Sequence, residues 1–201
     1  MKQTIFFLSL IAFIGGLVAA QQYLSKEHTP AASKPVPIAG KQFGGEFSLT
    51  QDGKTVSLSD FKGKVVVMYF GYASCPDVCP TSLAMIGGAM KSLTPEELES
   101  VQGVFVSVDP ERDKGDPLMQ YAQYFHKNFV GITGTIDEIK TVTKQYGTYY
   151  AKVESDSALS YLVDHTSTTF IIDRNGKFFE SQPHGAKPDA IAESIRKALA
   201  S

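Results

Sequence analysis

The composition of this 201-residue chain, with 43% hydrophobic and 20% charged residues, is that of one or two globular domains and excludes an intrinsically disordered protein. The 19 Lys and Arg residues and 21 Asp and Glu residues give a net charge of −2, which offers no basic surface for nucleic acid. With only 2 cysteines, a disulfide-dense scaffold and any metal site built from four cysteines are also excluded.

The chain begins with an apolar segment at residues 1–20. Lys2 is its only charged side chain, and the apolar run has the shortest length at which a helix can span a membrane. We predict that this segment is a membrane anchor; the alternative is a cleaved signal peptide, because small residues at 18–20 would suit cleavage. Both interpretations place the rest of the chain outside the cytoplasm.

Residues 21–40 are rich in Pro, Ala, Ser and Lys and lack apolar periodicity, which predicts a flexible linker. Residues 41–201 then form one domain, which opens with a hairpin over residues 47–58 as an N-terminal extension. A continuous apolar run at residues 65–70 predicts a central strand that is buried on both faces.

The remaining pattern alternates helices and strands. In chain order we predict a helix at 80–93, a helix capped by Thr94, a strand at 104–108, a helix at 117–127, a strand at 129–132, a helix at 135–146, an extended segment at 149–153, a strand at 168–172, a hairpin turn at 174–176 and a helix at 186–200. This order predicts an α/β domain with a mixed sheet flanked by helices.

The two cysteines lie four positions apart in residues 71–80, GYASCPDVCP. This segment leaves the C-terminal end of the predicted central strand, where ligands usually bind in an α/β sheet. Pro80 suits the first turn of the next helix and places Cys79 at the helix N-terminus, where the helix dipole favours a thiolate. The pair therefore indicates thiol redox chemistry or metal binding, with a purely stabilising disulfide as the structural alternative.

Copper(I) suits this pair better than zinc does, because zinc would need two further ligands and no His or Cys lies nearby in the sequence. Two sulfurs and one distant imidazole would complete a copper site. The candidates are His28 in the linker, His126 late in a helix, His165 before the strand at 168–172, and His184 in a Pro/Gly loop. We expect His28 to be solvated, His126 to lie at the surface, and His165 to lie on a loop beside the ligand-binding end of the sheet.

Four sequence blocks closely resemble the Sco/SenC family. They are GYASCPDVCPTSL at residues 71–83, VSVDPERD at 106–113, GITGT at 131–135 and VDHTSTTFIID at 163–173. The resemblance covers the chain from about residue 40 to the end. Within the second block, we interpret residues 109–113 as a turn that ends a strand, with a helix cap.

The resemblance implies a thioredoxin-like, membrane-tethered copper protein that helps to metallate cytochrome c oxidase. It implies that Cys75, Cys79 and His165 are the copper ligands, for Cu(I) or Cu(II). Asp77 and Asp164 match family positions too, and we assign them supporting roles: Asp77 beside the metal-bearing site, and Asp164 in orienting the histidine loop.

The resemblance also implies partners and a location. The partners are the copper-bearing subunit of the oxidase and a thiol reductant or upstream copper donor. The location is a bacterial-type cell envelope, with the chain anchored in the inner membrane and its domain on the extracytoplasmic side.

The alternative function is a thiol–disulfide oxidoreductase, in which Cys75 and Cys79 would reduce the cysteines of a target protein. The wider cysteine spacing, and Thr168 and Thr169 where thioredoxins carry a proline, weigh against a general reductase. A thiol peroxidase is a further alternative, but nothing in the sequence marks one cysteine as peroxidatic rather than the other. His165 distinguishes copper transfer from thiol exchange, because only the three-ligand site needs an imidazole.

Overall fold

The structure of the chain, a computed structural model, describes residues 43–155 and 160–201. The predicted anchor, the predicted linker and His28 lie outside the described residues. Within the described ranges, no helix has both the length and the apolar character that crossing a membrane requires.

The described elements alternate much as predicted. The strands are β1 (Ser48–Gln51), β2 (Lys54–Ser57), β3 (Val65–Gly71), β4 (Val101–Ser107), β5 (Phe129–Ile132), β6 (Tyr150–Glu154), β7 (Tyr161–His165), β8 (Thr169–Ile172) and β9 (Phe178–Gln182). The helices are α1 (Val78–Lys91), α2 (Pro95–Glu99), α3 (Gly115–Phe125), α4 (Ile136–Gln145) and α5 (Pro188–Leu199), and a short 3-10 helix spans Leu58–Phe61.

A five-stranded mixed sheet forms the centre of the domain, in the order β5-β4-β3-β8-β9. Strands β3, β4 and β5 run parallel, whereas β8 is antiparallel to β3 and β9 is antiparallel to β8. All residues of β3 are buried, which explains why its sequence is apolar without alternation. This mixed sheet flanked by helices confirms the predicted α/β fold class, and β1 and β2 form the predicted hairpin in front of it.

Local signals in the sequence set the helix starts. Thr94 caps α2 and Thr135 caps α4, and in both helices a glutamate three residues later completes a capping box. Helix α1 begins at Val78, two residues before the predicted start, so Cys79 lies inside its first turn. Pro80 is tolerated there because the first turn of a helix does not use its N–H groups internally.

A second two-stranded ribbon, β6–β7, lies outside the five-stranded sheet. Its register pairs Tyr150 with His165, so His165 is the last residue of a strand. The prediction that His165 lies on a loop is therefore wrong. The reason is that, within the described part of the chain, β7 pairs only with β6, and its five residues lack the apolar run that marks the central strands.

Candidate metal centre

Cys75 lies in the loop after β3, and Cys79 lies in the first turn of α1. Both are free thiols; Cys75 is 9% exposed and Cys79 is fully buried. The Cys79 backbone N–H donates to Cys75 Sγ at 3.4 Å. Gly71 at the end of β3 makes room for the buried thiol, because a Cβ at this position would lie only 2.7 Å from Cys79 Sγ.

The ribbon brings His165 to the cysteines. Its Nε2 lies 3.0 Å from Cys79 Sγ, and its Nδ1 lies 3.2 Å from the carbonyl oxygen of Thr166. A carbonyl oxygen only accepts hydrogen bonds, so in a neutral imidazole Nδ1 donates to it and the lone pair of Nε2 faces the thiols. The rings of Tyr69 and Tyr72 meet the imidazole edge-on, with centroids 6.1 Å and 5.9 Å away, and hold its orientation.

The ligand atoms of Cys75, Cys79 and His165 all lie within 4.8 Å of one another. One ion placed between them can therefore contact two sulfurs and one imidazole nitrogen. Soft thiolates favour Cu(I) over hard cations such as Mg²⁺ or Ca²⁺, which prefer oxygen ligands. The donor set thus fits a copper ion.

The two thiols differ in acidity. The pKa of Cys75 lies well below its ordinary value, chiefly because the Cys79 thiol donates a hydrogen bond to the Cys75 sulfur. The backbone N–H groups of Asp77 and Cys79 lower this pKa further, against the opposing effect of burial.

Burial raises the pKa of Cys79, and hydrogen bonding to the Cys75 sulfur raises it further. The prediction that the helix dipole favours a thiolate at Cys79 is therefore wrong, because desolvation of this fully buried sulfur outweighs the dipole. In the metal-free protein these shifts favour the negative charge on Cys75 and the proton on Cys79.

The two carboxylates assigned to the site are exposed. Asp77 precedes α1 and makes no side-chain cap, while its carbonyl oxygen accepts from the Thr81 hydroxyl at 3.0 Å. Asp164 follows buried Val163 in β7, and adjacent residues of a strand point to opposite faces. The carbonyl oxygen of Thr166 occupies the Nδ1 side of His165. The roles assigned to Asp77 and Asp164 stay predictions.

The remaining described histidines lie outside this group. His126 is buried, and its Nδ1 accepts from the Asn128 N–H at 3.1 Å. The prediction of a surface position is therefore wrong; α3 ends at Phe125, and the backbone partner satisfies the buried imidazole. His184 is exposed between β9 and α5, with its Nδ1 3.1 Å from Ser82 Oγ.

The turn at residues 109–113 contains polar groups that the sequence reasoning missed. Asp109 is fully buried and accepts from the Tyr161 hydroxyl at 2.9 Å and from Arg112 Nε at 2.5 Å. Asp113 accepts from the Ala73 N–H at 2.6 Å, in the loop that leads to Cys75. The turn therefore contacts both the histidine-bearing ribbon and the cysteine-bearing loop.

The predicted helix cap in this turn is absent from the structure. Helix α3 begins at Gly115, and its N-cap residue Lys114 makes no side-chain cap. Asp113 instead points to the cysteine loop and to the Ser107 hydroxyl, which donates to it at 2.7 Å. The VSVDPERD block was a signal for these contacts, but the sequence alone did not show that its carboxylates are buried.

Comparison with known proteins decides the family. The SCO1/SenC family model matches residues 36–200. The chain belongs to the SCO1/SenC family. The SCO2-like protein of Rickettsia felis is 32% identical over 191 residues, which cover 94% of this chain and 93% of that protein.

Two solved structures of SCO1/SenC relatives share the fold. Arabidopsis thaliana ScoI with copper bound has 34% identity and a TM-score of 0.71, over 79% of this chain and 98% of that one. BsSco is described as a member of the Sco family of cytochrome c oxidase assembly proteins in which a disulfide switch was identified. It has 26% identity and a TM-score of 0.60, over 79% of this chain and 94% of that one.

In this SCO1/SenC protein the four sequence blocks meet around the same strand ends. Cys75 and Cys79 follow β3, and the turn at residues 109–113 follows β4. The Thr133 hydroxyl, in the third block, donates to the Ser107 carbonyl at the end of β4. His165 lies on β7, so residues that are far apart in the chain form one candidate metal centre.

Proposed function

We propose that this SCO1/SenC protein binds copper through Cys75, Cys79 and His165 and delivers it to the copper site of cytochrome c oxidase during assembly. The observation that carries the proposal is the group of two free thiols and one imidazole whose ligand atoms lie within 4.8 Å of one another. Copper bound to ScoI of Arabidopsis thaliana and the description of BsSco as an oxidase assembly protein support it.

The acidity of the ligands suggests how copper enters. The Cys75 thiolate meets the ion first, because it is charged and is the less buried of the two sulfurs. Cys79 then releases its proton to solvent and binds as a thiolate, while His165 already presents the lone pair of Nε2. Three ligands leave copper accessible to the ligands of an acceptor, so transfer proceeds by ligand exchange.

The same proposal includes the partner proteins and the cellular location of this protein. The acceptor is the copper-bearing subunit of the oxidase, and an upstream copper donor or a thiol reductant prepares the site. Residues 1–20 anchor the protein in the inner membrane of a bacterial-type envelope, and residues 21–40 link them to the domain at 41–201 on the extracytoplasmic side. The uncharged apolar run at the N-terminus supports this arrangement.

A competition titration tests copper binding. The reduced protein is titrated with Cu(I) in the presence of a chromophoric chelator, and one copper per chain is expected. A variant with Cys75→Ser and Cys79→Ser is expected to leave the copper on the chelator. If the reduced parent also leaves it there, the copper proposal is wrong.

Delivery needs a separate measurement. The copper-loaded protein is mixed with the copper-free soluble domain of the oxidase subunit, and copper in each protein is measured after separation. Copper is expected on the acceptor. Copper that stays on the donor at equilibrium contradicts delivery while leaving the binding proposal intact.

A second candidate function is reduction of a target disulfide, which the unequal acidity of the two thiols favours. The Cys75 thiolate would attack the target disulfide and release one target sulfur, which takes the proton of Cys79. The Cys79 thiolate would then attack Cys75, form the Cys75–Cys79 disulfide and release the second target sulfur. Two electrons pass to the target, and the stoichiometry of target thiols released per reduced chain tests this step.

A further inference from the structure

We propose that a network of Asp109, Arg112 and Tyr161 is a positioning device, which holds the β6–β7 ribbon so that His165 faces the two cysteines. This inference rests on the proposed copper function for its purpose, but the positioning itself is a property of the metal-free protein. None of the three side chains belongs to the ligand group.

The position of His165 needs such a device, because its strand is not part of the sheet that carries the cysteines. Among the described strands, β7 pairs only with β6, so no ladder between them ties the ribbon to β3. Val163 is buried in the core, but apolar packing is non-directional and does not by itself fix the orientation of the ribbon. Directional polar contacts are therefore the better candidates for this task.

Tyr161 has the right place on the strand. It is the first residue of β7 and His165 is the last, and Val163 lies between them. Residues two apart share one face of a strand, so all three side chains point the same way, while exposed Asp164 points away. Fixing Tyr161 therefore fixes the face that presents the imidazole.

Asp109 and Arg112 hold Tyr161 at three points. The Tyr161 hydroxyl donates to Asp109 Oδ1 at 2.9 Å, and Arg112 Nη1 donates to the Tyr161 carbonyl oxygen at 3.1 Å. The guanidinium carbon also lies 3.8 Å from the centroid of the Tyr161 ring. Arg112 Nε in turn donates to the fully buried Asp109, so charge-assisted hydrogen bonds join the three residues.

The same turn also holds the cysteine loop. Asp113 accepts from the Ala73 N–H, two residues before Cys75. The Arg112 guanidinium lies 5.6 Å from the centroid of the Tyr72 ring, and that ring meets His165 edge-on. The turn at residues 109–113 follows β4 and contacts both the cysteine loop and the ribbon that carries His165. It therefore positions the cysteines and the histidine relative to the same part of the sheet.

A second ion pair on this turn provides a matched control. Lys152 of β6 lies 2.7 Å from Glu111, but their side chains are 46% and 54% exposed. Exposed pairs of this kind contribute little to stability. Lys152 Nζ also lies 4.6 Å from the centroid of the Tyr161 ring. Glu111→Gln therefore removes a ribbon contact of the turn while keeping every residue that makes the hydrogen bonds among Asp109, Arg112 and Tyr161.

The test compares Tyr161→Phe with Glu111→Gln in the reduced full chain. Tyr161→Phe removes one hydroxyl, and we expect Cu(I) affinity in a competition titration to fall about tenfold, as when a group behind a metal ligand is altered. Glu111→Gln is expected to leave affinity unchanged. Arg112→Lys keeps the charge but loses the planar guanidinium group, so we expect this second variant to lower Cu(I) affinity too.

Two further measurements separate positioning from a general loss of stability. In a His165→Ala background, Tyr161→Phe is expected to have no further effect on affinity, because the imidazole it positions is gone. In the metal-free protein, nuclear Overhauser contacts between the His165 and Tyr72 rings are expected to weaken in Tyr161→Phe but not in Glu111→Gln.

Several outcomes would overturn the inference. One is unchanged ring contacts in metal-free Tyr161→Phe, a result that is independent of copper. Another is an equal loss of affinity with and without His165, since the network would then act through the cysteines or through overall stability. If the parent binds no Cu(I), the proposed function fails, whereas the ring contacts still decide whether Tyr161 positions His165.

Discussion

Cys75 and Cys79 differ in acidity because their surroundings differ. Cys75 accepts hydrogen bonds from the Cys79 thiol and from backbone N–H groups, whereas Cys79 lies fully buried against the end of β3. The thiolate is both the nucleophile and the metal ligand, so the first reaction at this site starts from Cys75. Cys79 joins only after its proton has left.

The first prediction concerns the pH at which Cys75 reacts. In the reduced, metal-free protein, alkylation by iodoacetamide is expected at Cys75 alone, with a rate that stays nearly constant from pH 8 to pH 6. The reason is that a lowered pKa keeps the sulfur ionised below the ordinary range of a thiol near pH 8.5. Cys79→Ala removes the thiol that donates to Cys75, so the rate in this variant should fall as the pH decreases. Mass spectrometry at each pH measures both; equal labelling of Cys79 in the parent would contradict the assignment.

His165 separates copper binding from thiol chemistry. His165→Ala is expected to weaken Cu(I) binding by more than about 100-fold, beyond the range found when only a group behind a ligand is altered. Reactivity of Cys75 with a small disulfide should stay largely intact, because thiol exchange needs no imidazole. Competition titration and a stopped-flow exchange assay measure the two effects. His184→Ala is the control, since His184 lies outside the ligand group, and parent-like copper affinity in His165→Ala would refute the ligand assignment.

Substitution of Gly71 is expected to destabilise the folded protein, because this residue lies against the buried thiol of Cys79. Gly71→Ala places a Cβ 2.7 Å from Cys79 Sγ and 3.1 Å from the Phe105 ring, so the thiol must move. We expect a loss of about 1–3 kcal/mol in the free energy of unfolding, the usual cost of overpacking a core. Urea denaturation measures it. In a Cys79→Ala background the cost should be smaller, because the sulfur is absent; an unchanged cost would show that Phe105, and not the thiol, sets the limit.

The sequence predicts an element well when neighbouring residues alone determine that element, and poorly when distant segments do. The continuous apolar run of β3 and the cap Thr94 carry their own signals within a few residues, and the structure confirms them. The cysteine pair was likewise visible, because the two thiols lie four positions apart in one short segment. Family resemblance, rather than periodicity, pointed to His165, whose position depends on a ribbon formed with a separate segment.

The features that the sequence did not reveal depend on contacts between distant segments. A charged block such as residues 109–113 normally predicts an exposed turn, and only the fold shows that Asp109 is buried against Tyr161. His126 follows the last turn of an amphipathic helix, and only the packed chain turns it inward. In each case a partner elsewhere satisfies the polar group, which a local pattern cannot show.

The end of α3 contributes a pH dependence to stability. Burial lowers the pKa of His126, and the charges of Lys91 and Lys127 lower it further. In the unfolded chain this pKa returns to about 6.5, so the unfolded state takes up the proton more readily. Stability is therefore complete above pH 6.5 and is lost as the pH falls from there towards the folded pKa.

A substitution at this position should reduce that loss. His126→Asn keeps an acceptor near the Asn128 N–H but does not titrate, so its free energy of unfolding is expected to fall less than that of the parent between pH 7 and pH 5. Urea denaturation of the metal-free proteins at several pH values measures the difference. Parallel curves for the two proteins would show that His126 makes no contribution to acid sensitivity.

At the scale of the whole molecule, the candidate metal centre joins two parts that share no β-ladder. Cys75 and Cys79 belong to the central sheet and α1, while His165 lies 86 residues beyond Cys79 on a separate ribbon. An ion that binds all three atoms therefore cross-links the ribbon to the sheet. A ligand that binds only the folded state stabilises it, and at a concentration of about 100 times its Kd the gain is about 2.7 kcal/mol.

Hydrogen exchange should show where this stabilisation acts. Copper(I) is expected to slow amide exchange in β6 and β7 more than in β3 and β4, because the buried central strands open only with the whole domain, whereas the ribbon can detach locally. In His165→Ala, copper held by the two cysteines should protect the loop after β3 and leave the ribbon as it is in the metal-free protein. Peptide-level exchange followed by mass spectrometry resolves these segments. Equal protection of the ribbon in the parent and in His165→Ala would mean that copper stabilises the ribbon without using the imidazole as a ligand.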